Sequence, residues 1–147
     1  QGMEPLQVNA GRDLAVRGPL PGEAGWPVVL PWPEAPTVTL IWGAMATSGI
    51  IRRRWRRHQE WLHHLLDPQT GRPATSPVQT ATVWAPRCAL ADVAAKTAWI
   101  LGPSRAAAFF RRWQYPAVWW LADGTVSWLG WEARDHADDV DLGHRSR

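Results

Sequence analysis

At 147 residues with a formal net charge of +3, the chain is long enough to bury one core, and a single domain is the expectation. It holds no apolar run of about eighteen residues, which excludes a membrane-spanning helix within it, and its single cysteine, Cys88, excludes an internal disulfide, so packing must hold the fold. The twelve tryptophans follow no fixed period from Trp26 to Trp131, which excludes a repeat or a base-stacking ladder and predicts core and edge packing. Gln1 is not an initiator and periodic segments start almost at once, so the chain reads as a fragment or processed product, with any targeting segment ahead of it and the compartment open.

Leu6 to Asn9 and Asp13 to Arg17 alternate apolar and polar residues around Ala10-Gly11-Arg12, the pattern of a strand-to-strand turn. Prolines and glycines crowd residues 18–36, which predicts a loop interrupted by a short strand from Trp26 to Leu30. Val38 to Trp42 is β-branched enough for a strand. From Ile50 to Leu66 periodicity leaves two choices: a basic amphipathic helix, or two strands. Within it, Arg52-Arg53-Arg54-Trp55-Arg56-Arg57 invites phosphate or nucleic acid, although a solvated hairpin face is the better reading.

Asp67-Pro68-Gln69-Thr70-Gly71 carries turn chemistry, with an Asp to cap, a Pro to fix φ and a Gly for the left-handed position. Gln79 to Trp84 reads as a buried strand stopped by Pro86. The alanine-rich run from Ala89 to Leu101 predicts a helix closed by Gly102-Pro103, and Ser104 predicts the N-cap of a second helix reaching about Gln114. Ala117 to Leu121, the Asp123-Gly124 turn and Thr125 to Leu129 predict a closing hairpin. The expected division is a domain over residues 1–134 and a polar tail over 135–147. Strand pairs with two consecutive helices between them indicate an α+β fold, a largely antiparallel sheet with both helices packed on one face. No GxGxxG or GxxxxGK[ST] occurs, so neither standard nucleotide fingerprint applies.

Five stretches in order resemble the C-terminal half of the FAD:protein FMN transferases, the ApbE-type flavinyltransferases. They are Asn9 to Asp13, Ala46-Thr47-Ser48-Gly49, His64-Leu65-Leu66-Asp67-Pro68-Gln69-Thr70-Gly71-Arg72-Pro73, Ala91-Asp92-Val93-Ala94-Ala95-Lys96, and Ile100-Leu101-Gly102-Pro103. The resemblance runs from about Leu6 to Trp128 and implies two strands joined near His58 to Glu60. It implies FAD as substrate, with Asn9, Asp13, Thr47, Ser48, Gly49, His64, Leu66, Asp67 and Thr70 as binding residues, and a target flavoprotein with an acceptor Thr or Ser as partner. It also implies Asp92 as ligand of Mg²⁺, an ion that bridges protein and substrate phosphates. Two residues depart from the pattern: Lys96 stands at a metal-binding threonine, and Arg12 at a second glycine.

Asp92 and Lys96 are four apart and therefore share a helix face. Lys96 either pairs with Asp92 or neutralises the diphosphate in place of part of the metal's charge, and it is counted with His64 as a catalytic candidate. His64 can take the proton that an acceptor hydroxyl loses on attacking phosphorus. The reaction implied by the resemblance splits FAD, joins FMN to the acceptor hydroxyl as a phosphoester and releases AMP. Two other readings stay open. One is a divergent member that binds flavin or a partner without catalysis, which Lys96 and Arg12 would suit. The other is a basic nucleic-acid module resting on Arg52 to Arg57, the weakest of the three. The family's N-terminal half, which supplies much of the isoalloxazine pocket, has no counterpart in this sequence, so whether the chain alone transfers FMN is open.

Overall fold

A computed structural model describes residues 4–131 and the pair 140–141, so the expected polar tail over 135–147 falls outside the described residues except for that pair. Six strands form the main sheet: β1 (Leu6–Ala10), β2 (Asp13–Arg17), β5 (Trp42–Gly49), β8 (Val78–Ala85), β9 (Ala117–Leu121) and β10 (Val126–Leu129), in that spatial order and antiparallel throughout. A smaller sheet joins β3 (Trp26–Val29) to β4 (Thr37–Leu40) antiparallel and β4 to β11 (Val140–Asp141) parallel. The segment whose periodicity was open forms a two-stranded ribbon of β6 (Arg54–Arg57) and β7 (Glu60–His63), so the basic-helix alternative is excluded. Strand β5 was not expected over its whole length, because Gly43, Ala44, Ala46 and Gly49 carry little strand propensity. Pairing on both edges, to β2 and to β8, makes it a strand regardless.

The helix α1 (Cys88–Trp113) is one helical element of 26 residues, not the two expected. Its ladder breaks at Gly102, whose φ of 69° and ψ of 171° are non-helical, next to Pro103, which lacks an N–H to continue the bonding. Ser104 therefore lies inside the kinked helix and does not act as the cap of a new one. Gln114 ends the helix in the left-handed conformation, and Arg111 and Arg112 in the last turn suit the negative end of its dipole.

Alternation of side chains sorts the sheet into two covered faces. Ala44, Ala46, Ala81, Val83 and Ala85 face α1, whose buried stripe is Ala91, Ala94, Ala95, Ala98 and Trp99. From Ala91 to Ala98 alanine thus meets alanine, which lets this part of the helix lie close on the sheet, while Trp99 fills the space further along. Leu14, Val16, Met45 and Val118 point the other way and pack with Val38 and Leu40 of the smaller sheet and with Leu30. The tryptophans divide as well: Trp99, Trp119 and Trp131 are buried, whereas Trp55, Trp61 and Trp113 are about half exposed or more.

Candidate functional site

The close seat of α1 brings three charged groups together. Register pairs Asp13 at the start of β2 with Ala46, so the two share the sheet face covered by the helix. There Asp13 feels the charges of Asp92 and Lys96, which stand one turn apart in the first half of α1. The ammonium of Lys96 donates a hydrogen bond to Oδ1 of Asp92 as an ion pair, both side chains being partly exposed. Burial, and next the negative charge of Asp92, push the Asp13 carboxyl up, with Lys96 opposing. Cys88, the first residue of α1, adjoins the same carboxylates; burial, then Asp13 and Asp92, raise its thiol, which keeps it protonated although a helix start by itself favours the thiolate.

His64 follows β7 directly and is exposed, with Nδ1 at 3.4 Å from the carbonyl oxygen of Arg53. Its neighbour His63 has a different setting: its ring meets Trp99 edge-on at 5.2 Å, and burial pulls its pKa down, so it stays neutral near pH 7. Leu65 is buried in the cluster beneath α1, and Leu66 is exposed. The following turn uses its own polar groups. Asp67 Oδ1 accepts from the amide of Gln69 at 2.9 Å, the Thr70 hydroxyl accepts from the amide of Arg72 at 3.3 Å, and Gly71 takes a φ of 65°. An isolated bridge from Leu66 to Pro73 and a bond from Ala74 N to the Leu65 carbonyl at 3.0 Å close the loop against the core. Asp67 and Thr70 therefore hold the shape of the loop that carries His64.

The four residues Ala46 to Gly49 do not present one surface, because they lie in a strand. Ser48 pairs with Ala81 on the helix face and is buried. Thr47 points to the opposite face, where its hydroxyl bonds that of Thr82 at 2.8 Å. Asn9, paired with Leu14, shares that opposite face. Asn9, Gly11, Arg12, Thr47 and Thr82 line a cleft of about 130 Å³ there. Gly49 has a local reason of its own: a Cβ would stand 2.5 Å from the carbonyl oxygen of Gln79. Close strand approach, with no ligand involved, already requires glycine. Gly49→Ala is accordingly expected to destabilise by about 1–3 kcal/mol through backbone displacement. Urea denaturation showing a loss below about 0.5 kcal/mol would mean that the strands part without strain.

The turn between β1 and β2 joins the two faces at the sheet's end. The carbonyl of Arg12 accepts from the Thr47 amide at 3.1 Å, which ties the turn to β5. Burial lowers the Arg12 guanidinium, and the positive charges of Arg52 and Arg53 lower it further. Two charged groups thus form, Asp13 with Asp92 and Lys96, and Arg12 with Arg52 and Arg53; they are joined by the chain at Arg12-Asp13, and the backbone carbonyl of Arg53 meets His64. Arg12 entered the sequence reading only as a departure from a glycine pattern, and Arg52 and Arg53 only as part of a charge run. Their grouping depends on the fold, and no spacing along the chain announces it.

The donor set decides whether Mg²⁺ fits. The ion requires near-octahedral oxygen coordination, whereas the Asp92 carboxylate holds an ammonium and Asp13 is the other carboxyl nearby. Among the described residues, no group of three or more His, Cys, Asp or Glu side chains gathers to hold a metal. With Lys96 on Asp92, these residues do not fit Mg²⁺.

The ApbE family model matches residues 1–119 of this chain. The FAD:protein FMN transferase of Treponema pallidum is 35% identical over 75 residues, covering 51% of this chain and 20% of that protein. Its namesake in Escherichia coli K12 is 32% identical over 124 residues, covering 76% of this chain and 34% of that protein. The crystal structure of the ApbE protein of Thermotoga maritima superposes with a TM-score of 0.74 at 26% identity, covering 84% of this chain and 42% of that one. The chain therefore spans about a third or less of the length of these two curated relatives. A match over most of the sequence, together with the same fold in the Thermotoga protein, means that this chain belongs to the ApbE family.

Proposed function

We propose that the protein carrying this chain is an FAD:protein FMN transferase. An acceptor Thr or Ser oxygen of a target flavoprotein attacks the phosphorus of the FMN half of FAD; the new P–O ester forms, the anhydride bond to AMP breaks, and His64 takes the hydroxyl proton. Lys96 supplies positive charge to the diphosphate, and Arg12, Arg52 and Arg53 extend that charge toward His64. Reactions of this class rest mainly on positioning and charge neutralisation, so a cationic cluster is the appropriate equipment. The observation that carries the reading is that the Arg12-Asp13 turn brings Asp13 to the Asp92–Lys96 pair and Arg12 to Arg52 and Arg53, next to the backbone contact of His64, in a chain of the ApbE family. Asp92 then acts by holding Lys96.

The test incubates the full-length protein carrying this chain with FAD and an acceptor flavoprotein, with and without Mg²⁺, and reads FMN addition by mass spectrometry. Lys96→Ala is expected to slow transfer by roughly 10²-fold, the scale of losing one electrostatic partner of the reacting phosphate. An unchanged rate removes Lys96 from the reaction. The presence of Lys96 and Arg12 favours a second reading, a flavin-binding member without catalysis; FAD binding with no mass gain in any mixture would establish it instead.

A further inference from the structure

The arginine ribbon is almost entirely outside the chemistry above. Strands β6 and β7 pair only with each other among the described strands, through Arg54↔His63, Trp55↔Leu62, Arg56↔Trp61 and Arg57↔Glu60. His58 and Gln59 close the ribbon with φ of 45° and 69°, a tight two-residue turn with both residues left-handed. Every residue from Arg52 to Trp61 is exposed. The Arg54 guanidinium lies 5.0 Å from the centre of the Trp61 ring, which holds the cation outward on a rigid aromatic platform. Among the described residues, no carboxylate forms an ion pair with these arginines.

We propose that this ribbon is the docking surface for the acceptor protein, and that it receives an acidic segment flanking the acceptor hydroxyl. The proposal rests on the transferase reading above and names the partner of that same site. Position carries the first half of the argument. His64 is the residue after β7, and its ring lies 3.4 Å from the Arg53 carbonyl just ahead of β6. A hydroxyl presented to His64 therefore arrives alongside the ribbon. Charge carries the second half: five arginines between Arg52 and Arg57, against the single acid Glu60, complement aspartate or glutamate. A membrane occupant is disfavoured because the tip, Arg57-His58-Gln59-Glu60, is polar, whereas interfacial elements bury an apolar surface. Stacking on single-stranded nucleic acid is disfavoured at Trp61, where Arg54 already lies over the ring.

Fluorescence anisotropy on the full-length protein tests this with labelled synthetic peptides, one holding a threonine flanked by aspartates and the other the same threonine flanked by asparagines. The aspartate peptide is expected to bind more tightly, to weaken with salt, and to lose roughly tenfold in affinity to the R54Q/R56Q/R57Q variant, since exposed ion pairs contribute modestly and add. The R54K/R56K/R57K variant should recover most of that loss, and FAD affinity should not move in either variant. Equal binding of the two peptides, equal binding by the glutamine variant, or tighter binding of a DNA duplex or of phosphatidylserine vesicles overturns the proposal. Failure of FMN transfer to every acceptor, with the aspartate preference and its loss intact, would instead remove the transferase reading and leave the acidic-segment surface standing.

Discussion

Replacing His64 by alanine is expected to lower FMN transfer by roughly 10²–10⁴-fold, the usual contribution of a positioned general base, with FAD affinity and melting temperature unchanged. The side chain is exposed and supports no core contact, which separates its chemistry from stability. With a proton on Nδ1 directed at the Arg53 carbonyl, Nε2 carries the lone pair and is the nitrogen left to accept a proton. Single-turnover rates with a flavoprotein acceptor, measured beside FAD binding, check this. A His64→Ala protein that transfers at the parent rate takes the imidazole out of the mechanism, and one that loses FAD binding assigns it to the substrate instead. His63→Ala should differ, because that ring is packed on Trp99 and its loss weakens the fold.

Trp99→Ala is expected to cost about 3–5 kcal/mol, a large share of the roughly 5–15 kcal/mol that holds a domain together. The indole is 0% exposed at the centre of the cluster beneath α1. His63 leans on it; the Ser76 hydroxyl donates to the backbone carbonyl of Trp99 at 3.0 Å, a bond that alanine keeps. Removing the ring therefore opens a cavity and loosens the loop that carries His64. Transfer should fall together with stability. Trp99→Phe should lose far less, because the indole nitrogen is buried without a hydrogen-bond partner among the described residues, so only the smaller volume is felt. Urea denaturation of both variants decides: a Trp99→Ala loss below about 1 kcal/mol would mean that the cluster repacks freely around the gap.

Much of the architecture was legible because local chemistry and tertiary context agree. The Asp67 to Gly71 turn forms through bonds among its own residues, so it would be found in any fold containing that stretch. The hairpin of β9 and β10 and the first strand pair followed from alternation around glycine turns. What could not be read was β5, whose small residues favour no element and become a strand through two neighbours. Nor could periodicity choose between a basic helix and two strands for residues 50–66, since a short mixed pattern fits both.

Sequence alone determined most element types, the turns, the α+β class and the family motifs with their two departures, because each depends on residues within a few positions of one another. Tertiary structure decided which side of the sheet each motif residue faces. It set Asp13 beside Asp92 and Lys96, sent Asn9 and Thr47 to the far face, and grouped Arg12 with Arg52 and Arg53. The physical reason is the two-residue period of a strand: adjacent motif residues are driven to opposite faces, and only the packing of α1 on one of them, alanine against alanine, determines which residues share a site.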